Sequence, residues 1–199
     1  WSSDVCSSDL AALISLGSKS SKMTSEAMRN YYESVDEIQI RDIEVVLGQD
    51  PPVLFQGKPI VGYDCIYVKG SFRYAAIAHS ITSALYPTAY MPILADSFTV
   101  VHDKILTHIL MQRHGIPMPK TYLSSTPKAA VEILKNMTYP IIMKFPHGTQ
   151  GKGVMFADSY PAATSLLDAL QSLNQSFLIQ EYVETGGEDV RALVVGEKV

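Results

Sequence analysis

The feature that most constrains this chain is the segment Ile141-Ile-Met-Lys-Phe-Pro-His-Gly-Thr-Gln-Gly-Lys-Gly-Val154. One cation, Lys144, closes an apolar strand, and Gly148, Gly151 and Gly153 follow closely. Glycine lets backbone N–H groups come near an anion, and a neighbouring ammonium adds charge. The pattern is not a Walker A loop, which needs Gly-Lys-Ser/Thr opening a helix; here Lys152 precedes Gly153 and a strand. On spacing alone, a plain β-hairpin whose glycines serve only turn geometry is the first reading of these residues.

A second segment, Phe177-Leu-Ile-Gln-Glu-Tyr-Val-Glu-Thr-Gly-Gly-Glu-Asp-Val-Arg191, runs from an apolar strand through a Gly-Gly turn to paired acids and an arginine. Backbone groups leaving a strand can bond an adenine edge, and a carboxylate can accept from ribose hydroxyls. Taken alone, Glu181, Glu184 and Glu188 read first as solvated turn charges, with Arg191 in a surface ion pair.

Bulk properties set the boundaries. The 16 basic and 20 acidic residues leave a net charge of -4, so no nucleic-acid or anionic-membrane surface is indicated. Any phosphate site must be built from a few placed groups. Cys6 and Cys65 are the only cysteines and form no CxxC or His/Cys ligand spacing, which excludes a disulfide framework or zinc site and favours a reducing cytoplasm. No apolar run approaches the roughly 20 residues of a membrane-crossing helix.

The chain reads as α/β. Residues 1–10 carry no amphipathic period and read as a non-native tail. From residue 11 to 99 the pattern predicts an open-sheet α/β domain. Its strands are expected at Ala11–Leu16, Ile38–Leu47, Val53–Gln56 and Asp64–Lys69, with helices from a Thr24 cap to Glu33 and over Phe72–Leu85. A second unit is predicted from residue 100 to 199. Ile105, Leu106, Ile109 and Leu110 give a helix over His102–His114. Thr126-Pro127 caps another helix to about Asn136, and a third covers Pro161–Leu173. Strands are expected at Thr121–Leu123, Tyr139–Phe145, Val154–Ala157, Phe177–Val183 and Val190–Val195. The stop at Val199, just after a turn, reads as the end of a fragment.

In combination the motifs resemble a family. Asp103-Lys104 opening a helix, Ile-Met-Lys-Phe with Gly-Thr-Gln-Gly-Lys-Gly-Val, and Gln-Glu-Tyr-Val with a later Asp-Val-Arg occur in this order in ATP-grasp ligases. The Gly-Thr-Gln-Gly-x-Gly-Val form and Asp-x-Arg-x-Leu-Val-Val-Gly are similar to the RimK-type glutamate ligases. The resemblance covers residues 90 to 199 well, and the first domain only in its order of strands and helices. It implies a pre-ATP-grasp domain followed by the first part of an α+β ATP-grasp domain.

The resemblance also implies a site. Lys104 and Lys144 match the two lysines that contact ATP phosphates, and Gly148, Thr149, Gln150, Gly151 and Gly153 match the loop that covers them. Glu181, Tyr182 and Val183 match the adenine hinge, and Asp189 the ribose-side acid. The turn before Asp189 is one residue short, which leaves Glu188 as the alternative. Arg191, the one catalytic candidate, matches an arginine on the acyl-phosphate side. ATP and Mg2+ are the implied cofactors, the metal ligands falling outside this chain, so the fragment alone is expected not to turn over. Implied partners are a small amino acid such as glutamate and a carboxylate acceptor, with no nucleic acid and no membrane. The second hypothesis is a non-catalytic ATP-binding regulatory module. A dinucleotide-binding oxidoreductase lacks its Gly-x-Gly-x-x-Gly after the first strand.

Other polar residues read as bland. His79, His102, His108 and His114 are taken as surface or capping histidines, three of them facing differently on one helix. His147 sits in the phosphate loop. Arg73 and the Ser18-Lys19-Ser20 loop have an anion-site look but read as solvated positions.

Overall fold

In a computed structural model the chain forms two compact units, one ending at Asp103 and one beginning at Lys104. The structure describes residues 9–48, 50–146, 153–171 (the side chain of 171 excepted), 176–194 and 196–199.

The first unit is built on three parallel strands in the order β2-β1-β6: β1 (Leu10–Ser15), β2 (Ser34–Gln39) and β6 (Cys65–Val68). Parallel strands covered on both faces run apolar throughout, and Ala11 to Ile14 are all essentially inaccessible. Alternate side chains serve two cores. Ala11 packs with Val35 and Cys65 toward Met28 and Tyr32, while Ala12 and Ile14 join Ile38, Ile66, Ala78 and Ile81. Helix α1 (Lys19–Met28) lies on the first side and α2 (Ala75–Leu85) on the second. A small antiparallel sheet of β3 (Ile43–Val45), β4 (Val53–Phe55) and β5 (Lys58–Pro59) extends this unit, and a short helix α3 (Ala95–Val100) packs on α2.

Two expectations shift here. The first helix starts at Lys19 rather than after Thr24, because Ser18 is the cap and accepts from the Ser21 amide. Thr24 instead sits inside the helix and donates back to the Ser20 carbonyl at 2.8 Å. The strand expected over Ile38–Leu47 is broken by a 3-10 turn at Ile40–Asp42, so its halves join different sheets.

The second unit is a four-stranded antiparallel sheet in the order β7-β10-β8-β9. Its strands are β7 (Thr121–Ser124), β8 (Ile141–Lys144), β9 (Val154–Ala157) and β10 (Phe177–Glu181). Helices α5 (Pro127–Lys135) and α6 (Tyr160–Gln171) cover one face, burying Ala130, Leu134, Ala163 and Leu167 against Ile141, Met143 and Ile179. The Thr126 hydroxyl accepts from the Ala129 amide and Pro127 opens α5, as the Thr-Pro pair predicts.

Helix α4 (Lys104–Arg113) behaves differently. It buries no residue fully, and Leu106, Ile109 and Leu110 remain partly exposed. The strand expected over 190–195 is coil in its described residues 190–194, which pair with no other strand among the described residues.

Candidate functional site

Strand alternation divides the second unit's sheet into a core face and an open face. Register sets Ile142 opposite Gln180 on one side and Phe156 on the other, with Gln180 in turn opposite Thr121. One step along, Lys144 lies opposite Leu178 and Val154, and Leu178 opposite Leu123. These residues share the face that α5 and α6 do not cover. Val154, Phe156 and Leu123 are exposed on it, large apolar side chains beside a cation.

Lys144 is half-buried and donates to Gln180 Oε1 at 2.8 Å. Lys104, the first residue of α4, reaches the same strand end: both its amide and its Nζ donate to the Pro146 carbonyl, each at 3.3 Å. Burial pushes the Lys144 ammonium below the usual lysine range, and the Lys104 charge pushes it further down. Two like charges therefore share one end of β8. An anion placed between them relieves both that repulsion and the incomplete solvation.

Gly153 closes the turn between β8 and β9 with φ +74°, and its carbonyl accepts from the Phe145 amide at 3.2 Å. A Cβ there would lie 2.9 Å from the Phe145 ring, so this close approach of Gly153 to Phe145 at a positive φ needs glycine. Gly148, Thr149, Gln150, Gly151 and His147 lie outside the described residues.

The hinge residues divide. The Glu181 amide donates to the Lys120 carbonyl at 3.0 Å and its carboxylate accepts from the Lys120 amide at 3.2 Å. That carboxylate is thus engaged with the backbone entering β7. Tyr182 and Val183 leave the strand exposed, and the Tyr182 ring meets Phe156 edge-on with centroids 5.4 Å apart. The pair extends the apolar strip of the open face. Beyond it, Glu184 accepts from the Gly186 amide, and Gly186 and Gly187 turn the chain with positive φ. Glu188, Asp189 and Arg191 are exposed on the following coil, the last two without a hydrogen bond or ion pair to other described residues. The structure brings Lys104 and Lys144 together and sets Tyr182 beside the same sheet face, but draws neither Asp189 nor Arg191 into that network.

Sequence reasoning missed the polar residues behind the lysines. Gln180 also donates to Thr121 Oγ1 at 2.6 Å and meets His108 Nε2 at 3.1 Å. His108 in turn contacts the Lys104 carbonyl through Nδ1. Two signals existed: Lys104 and His108 are spaced i, i+4 on one helix, and Gln180 is a polar residue directly following the apolar run Phe177–Ile179.

Among the described residues no three His, Cys, Asp or Glu side chains gather as a metal site, and no helix is long and apolar enough to cross a membrane.

The antiparallel sheet with two helices on one face is that of the ATP-grasp fold. A RimK domain protein of the ATP-grasp type from Sphaerobacter thermophilus superposes with a TM-score of 0.64 at 14% identity, over 89% of this chain and 64% of its own. Residues 101–199 match the RimK-like ATP-grasp domain, and that segment belongs to the RimK-like ATP-grasp family. Among curated relatives, it is 33% identical over 187 residues to the "Probable alpha-L-glutamate ligase 2" of Pseudoalteromonas atlantica, covering 90% of this chain and 61% of that protein. It is 33% identical over 160 residues to the "Probable alpha-L-glutamate ligase" of a Marinomonas species, covering 77% of this chain and 52% of that protein. The chain thus spans between about half and three-fifths of the length of these relatives.

Proposed function

We propose that this chain is the nucleotide-binding part of an ATP-dependent carboxylate–amine ligase, which joins an amino acid such as glutamate to a carboxylate acceptor. The observation that carries the reading is the convergence of Lys104 and Lys144 at one end of β8, on the open sheet face. Two cations held there suit the triphosphate of ATP. Phosphoryl transfer asks a protein chiefly for positioned charge around the phosphates.

In this reading residues 11–99 are the pre-ATP-grasp domain and residues 100–199 belong to the ATP-grasp domain. The backbone around Gly148, Thr149, Gln150, Gly151 and Gly153 covers the phosphates. The base rests against the Tyr182–Phe156 strip, its edge bonded by backbone at Glu181, Tyr182 and Val183. The Glu181 carboxylate, occupied by the Lys120 amide, fixes that hinge instead of reading the ligand. Asp189, or Glu188 beside it, takes the ribose, and Arg191 the acyl-phosphate side. Magnesium accompanying the nucleotide supplies further positive charge at the phosphates. The cytoplasm is the setting in which ATP and a free amino acid are both at hand.

The reaction runs in two displacements. An acceptor carboxylate oxygen attacks the γ-phosphorus, the bond to the bridging oxygen breaks, and ADP leaves. The amine nitrogen then attacks the acyl carbon, phosphate departs with the carbon–oxygen electron pair, and the nitrogen loses a proton as the amide forms. The names of the relatives, alpha-L-glutamate ligases, support glutamate as the amine.

The test is ATP-dependent phosphate release by the complete protein with glutamate and a panel of carboxylates, with amide formation followed by mass spectrometry. Release that requires both substrates, and is lost in Lys144→Ala, supports the ligase. Nucleotide binding without release under any amino acid would instead indicate a regulatory ATP module.

A further inference from the structure

The ligase reading leaves His108, Thr121 and Gln180 without a task, yet their hydrogen bonds admit only one set of directions. Lys144 has only donors, so the Gln180 atom 2.8 Å from it is the carbonyl oxygen. The Gln180 amide nitrogen therefore faces Thr121 Oγ1 at 2.6 Å and His108 Nε2 at 3.1 Å. An NH2 group can only donate, so His108 Nε2 is the bare, accepting nitrogen and the proton resides on Nδ1. Nδ1 faces the Lys104 carbonyl one helical turn back, an acceptor that requires that proton. The tautomer is thus specified twice, from opposite ends of the ring. Thr121 completes the set by donating its hydroxyl proton to the Pro119 carbonyl at 2.9 Å.

We propose that His108 is a positioning residue for Lys144: anchored on the Lys104 carbonyl, it fixes the Gln180 amide so that its oxygen holds the ammonium beside Lys104. The proposal rests on the reading of Lys144 as a phosphate contact. A lysine side chain carries much rotamer freedom, and one repelled by a neighbouring cation is driven to swing toward water. A directed amide acceptor pins it beforehand, so less ordering remains to be done when an anion arrives. The neutral amide also holds the ammonium without neutralising it. A carboxylate at position 180 would cancel the charge that the ligand needs, and its oxygen would face the bare His108 nitrogen.

Two measurements test this on the chain itself. Long-range 1H–15N NMR of the imidazoles should show His108 protonated at Nδ1 and bare at Nε2; an Nε2–H tautomer overturns the proposal whatever any variant does. Titration with the non-hydrolysable analogue AMPPNP and magnesium supplies the second. His108→Leu should bind about three- to tenfold more weakly, the range expected for one lost hydrogen-bonded link. His108→Gln, whose side-chain oxygen can accept from Gln180 in place of Nε2, should stay within about twofold of the parent. If His108→Leu binds as tightly as the parent while Lys144→Ala binds poorly, positioning by His108 is wrong and the nucleotide reading stands. If Lys144→Ala binds as tightly as the parent, both fall.

Discussion

Lys144 and Gln180 lie diagonally across β8 and β10 on the open face of the sheet, and the ammonium donates to the amide oxygen at 2.8 Å. The lysine is therefore held by a partner that carries no charge, next to another cation. Lys144→Ala should weaken AMPPNP binding at least about tenfold, the magnitude of a lost hydrogen bond to a charged group. Removing a partly desolvated cation beside a like charge should leave folding stability within about 1 kcal/mol of the parent. Titration and urea denaturation on the same samples check both halves, and a variant that unfolds early would contradict the second.

The same lysine gives a pH dependence with a definite sign. Its ammonium is less favoured in the folded chain than in the unfolded one, because burial and then Lys104 lower its pKa. Between that lowered value and the ordinary value of 10.5 the unfolded state binds more protons, so this group's contribution to stability rises with pH. Denaturation midpoints of the parent minus those of Lys144→Met, followed from neutral pH upward, should increase through that window. A flat difference argues against the strain.

Glu37 gives the same sign at the acid end of the scale, with a carboxylate that the fold stabilises. The buried Ser25 hydroxyl donates to its carboxylate at 2.7 Å and Arg29 at 2.9 Å, and these hold the carboxyl below its usual range. This stability is fully present above the ordinary carboxylate pKa of 4.5 and is lost as pH falls through the lowered folded value. Ser25→Ala should cost about 1 kcal/mol at neutral pH and less in acid. Acid titration by circular dichroism, parent against variant, measures it.

Gly153→Ala should destabilise the β8–β9 hairpin by about 1–3 kcal/mol, since it combines a positive φ with a Cβ pressed on Phe145. Thermal melts measure the cost. Phe145→Leu in the same background should recover part of it by moving the ring away, and no recovery would place the whole penalty in the backbone.

Much of this unit could be read from its residues because the signals are local. Thr126 and Pro127 announce a helix start within two positions, and Lys144 ends an apolar run whose alternation already assigns it a face. Ser18 was hidden among Ser20 and Ser21, each able to cap, and only the folded backbone selects one. The break at Ile40 was hidden because β-branched residues, Ile38, Ile40, Ile43, Val45 and Val46, recur on either side of it; the division is set by which sheet each half joins. His108 and Gln180 are 72 positions apart, so no spacing rule links them. Their partnership arises from the packing of α4 near β10, and α4's apolar stripe gave the opposite impression of an ordinary core helix.

The two-faced register of β8 and β9 has a consequence for anyone who would retune this protein. Positions 141, 143 and 157 answer to the helices behind the sheet, while 142, 154 and 156 do not. Directed evolution confined to the second set can explore new ligand preferences with the scaffold insulated from the search, one residue out of step with it along every strand.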